Sequence, residues 1–211
     1  MDDPRDVSFA KMASSYDEGV AGRASRRFYA LLAAAVTVQP GARVLDVGCG
    51  TGALLGKLAQ EQAIDCFGVD VEPQMVAVAA GRHPGMDFRV ASATDLPFED
   101  ATFDAVIACM AFHHFDDKTG FAVEAARVLR PQGVLYICDP NFPAPVRFSI
   151  NGLFRQMNTT GEFLTPQETY RRCAPAGLIP YGHATDAYAQ VVLLQRAAIP
   201  RRDEDAKGPR W

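Results

Sequence analysis

The sequence has no excess of positive charge. Its 211 residues include 21 lysines and arginines against 25 aspartates and glutamates, for a formal net charge of −4. No basic stripe runs along any segment. Such a chain has no general attraction for phosphate backbones. We therefore expect no nucleic-acid partner.

Long apolar runs are also missing. The longest apolar stretches, such as residues 28–38, fall short of the roughly 20 residues that a membrane-spanning helix needs. The acidic start at Met1 to Asp3 lacks the positive region of a signal peptide. These absences predict a cytoplasmic protein with no membrane span.

The cysteines do not form a metal-binding pattern. There are five, none in a CxxC pair, and several lie inside apolar runs, where a free thiol packs as a small hydrophobic group. Zinc sites use closely spaced cysteine and histidine ligands. We expect reduced thiols and no metal. The five are Cys49, Cys66, Cys109, Cys138 and Cys173.

Apolar runs of strand length alternate with helical patterns through most of the chain, which is typical of a parallel sheet with helices on both faces. Near-continuous apolar strands suit burial on both faces. The pattern predicts an α/β fold with a Rossmann-like, doubly wound, mostly parallel seven-stranded sheet and an antiparallel last strand. The predicted strands lie at 44–47, 66–70, 88–90, 103–109, 133–138, 179–183 and 190–195.

The same pattern divides the chain into three parts. Residues 1–40 are predicted to be an N-terminal helical segment, either packed on the sheet or acting as a lid. Residues 41–196 are predicted to form the Rossmann-like domain, with an insertion at about 140–165, and residues 197–211 a polar tail. Ligands in such folds bind outside the carboxyl ends of the strands, so an insertion there often shapes a substrate pocket.

The most informative stretch is a predicted strand that runs into a glycine-rich turn, from Val44 to Gly52. Glycine allows positive φ and lets a ligand touch the backbone. Asp70 ends the next strand, 20 residues after Gly50, where doubly wound folds place a carboxylate beside a ribose. A dinucleotide site generally shows GxGxxG, whereas here the spacing is GxGxG and an acidic Asp46 precedes it. That anion favours a nucleoside ligand with an ammonium group over a diphosphate.

These residues resemble the class I S-adenosylmethionine-dependent methyltransferases, in particular the group that includes the ubiquinone and menaquinone C-methyltransferases. The resemblance covers about Phe9 to Tyr136 and rests on six ordered pieces. They are an FxxxAxxYD segment at 9–17, the LDVGCGTG loop at 45–52, Asp70-Val71, ASATDLPF at 91–98 in place of GDAxxLPF, Phe103-Asp104 with His113-His114, and RVLRPQG at 127–133.

The resemblance implies S-adenosylmethionine as cofactor and S-adenosylhomocysteine as product. It implies backbone approach to the cofactor at Gly48, Cys49 and Gly50, with Asp46 near the amino group and Asp70 on the ribose hydroxyls. Other implied cofactor contacts are Val71, Met75, Ser92, Ala93, Cys109 and Met110. Tyr16 is expected either to close over the cofactor or to anchor its own helix.

Two positions depart from the family pattern. Ser92 stands where the family has an aspartate, so the contact to the adenine amino group is expected to be a hydroxyl bond or to shift to another residue. Gln132 replaces the second glycine of a PGG turn and is expected to alter only that turn.

On the substrate side, His113 and His114 are candidate general bases, since imidazole titrates near neutrality; the alternative is that one packs beside the cofactor and the other is structural or solvent-facing. We expect methyl transfer to a small-molecule acceptor. Two other hypotheses stay open here: an NAD-dependent oxidoreductase on the same fold, and a catalytically silent cofactor-binding partner protein.

Overall fold

A seven-stranded sheet forms the centre of the computed structural model, which describes residues 13–157 and 161–197. The strands follow the order β3-β2-β1-β4-β5-β7-β6. Strands β1 to β5 pair in parallel, and β7 runs antiparallel to both β5 and β6. The bounds are β1 Ala42–Val47, β2 Ile64–Asp70, β3 Asp87–Val90, β4 Phe103–Cys109, β5 Leu129–Pro140, β6 Leu178–Asp186 and β7 Ala189–Arg196.

Six α-helices accompany the strands in the described ranges. They are α1 Val20–Ala35, α2 Ala53–Glu61, α3 Pro73–Arg82, α4 Lys118–Val128, α5 Ala144–Gln156 and α6 Pro166–Cys173. Short 3-10 turns lie at Ala13–Glu18, Phe112–His114 and Ala174–Ala176. Side chains cap several of these helices: Asp117 accepts from Gly120 N at the start of α4, and Thr165 with Glu168 forms a capping box on α6.

The core has two halves because the sheet is buried on both faces. One cluster holds Leu45, Phe103, Phe121 and Leu129, and the other holds Leu32, Leu55 and Ile107. Adjacent residues of one strand therefore enter opposite clusters, as in Val106 and Ile107 of β4. This double burial explains the near-continuous apolar strands of the sequence.

The predicted fold class is confirmed. The glycine-rich turn, the helix at 53–61 and the parallel pairing of β1 to β5 match the expectation, and the antiparallel strand is β7. This strand is internal, because β6 pairs on its far side and forms the edge of the sheet. Strand β5 is longer than predicted, and the insertion at 140–165 contains helix α5. The tail from residue 198 onward lies outside the described residues, as do residues 1–12.

No helix among the described residues is long and apolar enough to cross a membrane. Within the same ranges, no three His, Cys, Asp or Glu side chains gather as a metal site would require. All five cysteines are buried free thiols.

Candidate cofactor and acceptor cleft

A cleft of about 530 Å³ opens at the carboxyl ends of β1, β2 and β4. This is the edge of a doubly wound sheet at which ligands bind. Helix α1 contributes Ser25 and Tyr29 to its wall. The other lining residues are Val47, Gly48, Cys49, Gly50, Thr51, Asp70, Val71, Glu72, Met75, Ala91, Ser92, Ala93, Thr94, Cys109, Met110, Ala111, His114, Phe115, Asp116 and Asp117.

The glycine-rich loop is held in a conformation that L side chains rarely adopt. Gly48 and Gly50 have φ values of +78° and +52°. At Gly48 packing adds a second constraint, since a Cβ there would lie 2.5 Å from Ala111 Cβ. The Gly48 and Cys49 N–H groups both donate to Val69 O, at 2.8 and 3.0 Å. The loop is thereby tied to β2 and presents its backbone to the cleft.

Asp70 ties β2 to this loop. Its Oδ2 accepts from Gly50 N at 2.8 Å, and its Oδ1 accepts from Glu72 N at 2.9 Å. Burial raises the pKa of Asp70, and these backbone hydrogen bonds oppose the rise. Each carboxylate oxygen can accept more than one hydrogen bond, so Asp70 can also bind a pair of ribose hydroxyls.

Asp46 lies directly before the cleft-lining Val47 and Gly48, and it is 2% exposed. Its Oδ1 is buried and has no hydrogen-bond partner. Burial and the nearby Asp70 carboxylate raise the pKa of Asp46 to about 8. A buried carboxyl group beside another carboxylate, with an unsatisfied oxygen, fits a ligand that brings an ammonium group to this end of the cleft.

The loop after β3 borders the cleft through Ala91, Ser92, Ala93 and Thr94. Ala91 N donates to Asp70 O at 3.0 Å, so this loop sits beside Asp70. The Ser92 hydroxyl accepts from Thr94 N at 3.2 Å and lies 2.9 Å from Thr94 Oγ1. Ser92 therefore forms a local turn with groups of its own loop.

The floor of the cleft lies at the end of β4. Met110 is in the left-handed region with a φ of +56°, and its N–H donates to Cys138 O at 2.8 Å. A non-glycine residue held in this region stores backbone strain, a feature that clusters at functional sites. Its neighbour Cys109 is buried, and burial raises the pKa of that thiol, which makes it a poor nucleophile.

The two candidate histidines have different surroundings. His114 lines the cleft, whereas His113 is buried behind it, with Nδ1 2.7 Å from Asp139 Oδ1 and its ring stacked on Phe163. Although His114 is open to the cleft, partial burial, with His113 and Lys118 nearby, lowers its pKa to about 4. Of the pair, the structure brings only His114 to the cleft.

The N-terminal segment contacts the glycine-rich loop through Asp17. Both Asp17 carboxylate oxygens accept from the Thr51 hydroxyl, at 3.0 and 2.9 Å, and one of them also pairs with Arg82 at the end of α3. The neighbouring Tyr16 is part of the 3-10 turn at 13–18, but its side chain lies outside the described residues. Its predicted cofactor contact stays a prediction.

Most predicted cofactor residues line this one cleft, and Asp46 lies next to it. The predicted cofactor residues left out Ser25, Tyr29, Thr94, Asp116 and Asp117, among others. Two sequence signals lie close to these residues. The FxxxAxxYD segment ends at Asp17, shortly before α1 begins, and the acidic pair at 116–117 comes soon after the predicted fourth-strand exit.

Comparison with known proteins identifies the domain. Residues 45–137 match the family model described as a methyltransferase domain. The demethylmenaquinone methyltransferase of Chlorobaculum tepidum is 35% identical over 101 residues, which is 48% of this chain and 42% of that protein. The O-methyltransferase resE of Aspergillus sclerotiorum is 33% identical over 141 residues, 59% of this chain and 52% of that protein. The chain thus spans about half the length of these curated relatives.

A methyltransferase of Haloferax volcanii, solved in complex with the Trm112 methyltransferase activator, superposes with a TM-score of 0.77 at 23% identity. The match covers 90% of this chain and 98% of that chain. This chain therefore shares the Rossmann-like fold of that protein. Residues 45–137 are similar to the methyltransferase domain and to the demethylmenaquinone methyltransferase named above.

Proposed function

We propose that this protein transfers a methyl group from S-adenosylmethionine to an uncharged small-molecule acceptor. The observation that carries the proposal is the buried Asp46 carboxyl beside the glycine-rich loop, whose Oδ1 has no hydrogen-bond partner, with Asp70 on the next strand. An ammonium group and a ribose on one ligand would satisfy both carboxylates. The methionyl and nucleoside parts of S-adenosylmethionine carry these two groups.

The charge of the cleft argues against an NAD-dependent oxidoreductase. Among the described lining residues no lysine or arginine occurs, while Asp70, Glu72, Asp116 and Asp117 are acidic. A dinucleotide brings a diphosphate, which is usually bound at a helix N-terminus or by cations. The same reasoning disfavours a phosphorylated acceptor, because no described cation faces the cleft to balance its charge.

In this mechanism the chain binds and aligns its ligands in a partly closed cleft. When bound, S-adenosylmethionine supplies a methyl carbon that its sulfonium sulfur makes electrophilic. Alignment of nucleophile, carbon and sulfur then provides most of the acceleration. Asp70 and the glycine-rich loop hold the donor, while Met110 and Phe115 add apolar surface to the cleft.

We assign His114 as the group that receives the acceptor's hydrogen bond. With a pKa of about 4, its ring is neutral above about pH 5, and a neutral imidazole can accept a hydrogen bond. His113, fixed by Asp139 and Phe163, would position its neighbour; their ring centroids are 4.0 Å apart. The relative named for demethylmenaquinone supports a quinol-type acceptor, whose hydroxyl would meet the His114 ring. The buried free thiols fit a reducing, cytoplasmic compartment.

Calorimetric titration of the purified protein with S-adenosylhomocysteine tests the cofactor class, with NAD and NADP as controls. We expect saturable binding of S-adenosylhomocysteine alone. Binding of NAD instead, or of none of the three, would refute the proposal. A panel of hydroquinones and phenols with S-adenosylmethionine would then be scored for S-adenosylhomocysteine formation, alongside hydroquinone monophosphates, which keep one free hydroxyl and which we expect to be inactive.

A further inference from the structure

The adenine end of the cleft can be located from the order of the strands. The glycine-rich loop follows β1, Asp70 ends β2, and residues 91–94 follow β3, which is the next strand outward. A nucleoside whose ribose is bound at Asp70 therefore directs its base towards 91–94. This step rests on the proposed function.

Adenine requires a hydrogen-bond acceptor there, because its exocyclic amino group is a donor. Ser92 is poorly suited to this task. Its hydroxyl oxygen already accepts from Thr94 N and lies within hydrogen-bond distance of Thr94 Oγ1. A hydroxyl is also a weaker acceptor than a carboxylate.

Asp117 offers a carboxylate at the same end. It lines the cleft together with Ser92, Ala93 and Thr94. Its Oδ1 accepts from Gly120 N at 2.7 Å and caps α4. Its Oδ2 and the Thr94 methyl group both border Gly120, because a Cβ placed on Gly120 would collide with Asp117 Oδ2 while lying 3.0 Å from Thr94 Cγ2.

The loop after β3 and Asp117 thus meet at Gly120, since Thr94 contacts Ser92 through its hydroxyl and borders Gly120 through its methyl group. Asp116 also lines the cleft, but Asp117, and not Asp116, is the residue that caps α4. Because Asp117 is fixed by its hydrogen bond to Gly120 N, its second oxygen is preorganised without further ordering of the side chain.

We propose that Asp117 is the residue that recognises the adenine amino group, with Oδ1 capping helix α4 and Oδ2 accepting the hydrogen bond from the base. The first turn of α4 then distinguishes adenine from bases that lack this amino group. In this assignment Asp117, on the loop after β4, takes the role that the family pattern gives to an aspartate at position 92, on the loop after β3.

The test compares S-adenosylhomocysteine with S-inosylhomocysteine, in which an oxygen replaces the adenine amino group. Their dissociation constants are measured by calorimetry for the parent, Asp117→Ser and Asp65→Asn, which changes an exposed carboxylate outside the cleft. Serine keeps a helix cap but is too short to reach the base. We expect the parent to prefer S-adenosylhomocysteine by about tenfold or more, Asp117→Ser to lose that preference, and Asp65→Asn to retain it.

A second variant guards against misfolding of Asp117→Ser. Adding Ser92→Asp to Asp117→Ser restores a carboxylate at this end, and we expect it to restore the preference. An intact preference in Asp117→Ser would overturn the assignment, as would a parent that binds both ligands equally. If the parent bound neither ligand, the proposed cofactor itself would be wrong, so the two failures are distinguishable.

Discussion

The carboxyl ends of β1 and β2 and helix α5 differ in how well the local sequence predicts their structure. At the ends of β1 and β2, each feature matches a local signal: glycines where φ is positive, and an acid where a ribose is expected. Helix α5 instead buries polar Arg147 and Asn151, while Val146, Phe148, Leu153 and Met157 are exposed. An amphipathic helix normally buries its apolar face.

Tertiary pairing explains the reversal in α5. Arg147 forms an ion pair with Glu168 of α6 at 2.6 Å. Asn151 exchanges two hydrogen bonds with the backbone of Phe163, each 3.0 Å long, and Phe163 in turn stacks on His113. The comparison teaches that ligand-binding backbone can be predicted locally, whereas a segment held by long-range polar contacts cannot.

Replacing Asp70 should have the largest effect. Asp70→Ala removes the acceptor for Gly50 N and for the proposed ribose hydroxyls. Hydrogen bonds to charged groups contribute roughly 1.5–3 kcal/mol each, so we expect S-adenosylhomocysteine to bind at least about a hundredfold more weakly, as measured by calorimetry. Asp65→Ala, at an exposed position of the same strand, is the matched control and should bind normally. Unchanged affinity in Asp70→Ala would refute the ribose assignment.

In helix α5, Arg147→Met should lower the free energy of unfolding and leave the affinity for S-adenosylhomocysteine unchanged. The substitution leaves Glu168 without its cation, and breaking a buried pair destabilises proteins by about 3–5 kcal/mol; because Glu168 is partly exposed, we expect about 2–3 kcal/mol. Urea unfolding would measure the loss, and calorimetry should show unchanged S-adenosylhomocysteine affinity in the folded variant.

The control for Arg147→Met is Arg155→Met on the same helix, where the side chain is exposed. This change should alter the free energy of unfolding by less than about 0.5 kcal/mol. If both variants were equally stable, the polar pairing would not be what holds α5, and the contrast between the two regions would lose its physical basis.

The next prediction concerns the pH dependence of stability. Burial raises the pKa of Asp46 to about 8 in the folded protein, from an ordinary value of 3.8. Between these values the folded state binds more protons than the unfolded state, so the free energy of unfolding falls as pH rises. Asp46→Asn should remove this contribution, which is on the order of 1 kcal/mol per pH unit.

Urea unfolding at pH 5, 6, 7 and 8 would measure the effect of Asp46. The parent should lose stability relative to Asp46→Asn across this window, and saturating S-adenosylhomocysteine should reduce the loss, since its ammonium group stabilises the ionised carboxylate. Parallel pH profiles for the two proteins would mean that Asp46 is already ionised in the free fold.

These regions also show how far sequence reasoning extends. The mostly parallel sheet, the glycine turn and the place of Asp70 at the end of β2 were predictable because each depends on residues close in sequence or on the regular alternation of strands and helices. The burial of His113 was not, because it depends on Asp139 and Phe163, which approach only after folding. Asp117 was missed for a similar reason: its place in the cleft depends on how α4 packs beside Thr94.

The smallest expected effect lies where the N-terminal segment meets the cofactor loop. Asp17→Asn weakens the hydrogen bonds from Thr51, which is 2% exposed, and removes the charge that pairs with Arg82. Because one charge-assisted bond becomes a neutral one, we expect S-adenosylhomocysteine to dissociate about threefold to tenfold faster in stopped-flow measurements.

Arg82→Gln separates the two contacts of Asp17. It keeps the bonds to Thr51 and removes only a partly exposed ion pair, which contributes little to stability. Its dissociation rate should therefore stay within about twofold of the parent. If Arg82→Gln matched Asp17→Asn, the ion pair would be the contact that holds the segment, and the rate difference should then disappear at high salt. If neither variant changed the rate, the contacts of Asp17 would not control departure from the cleft.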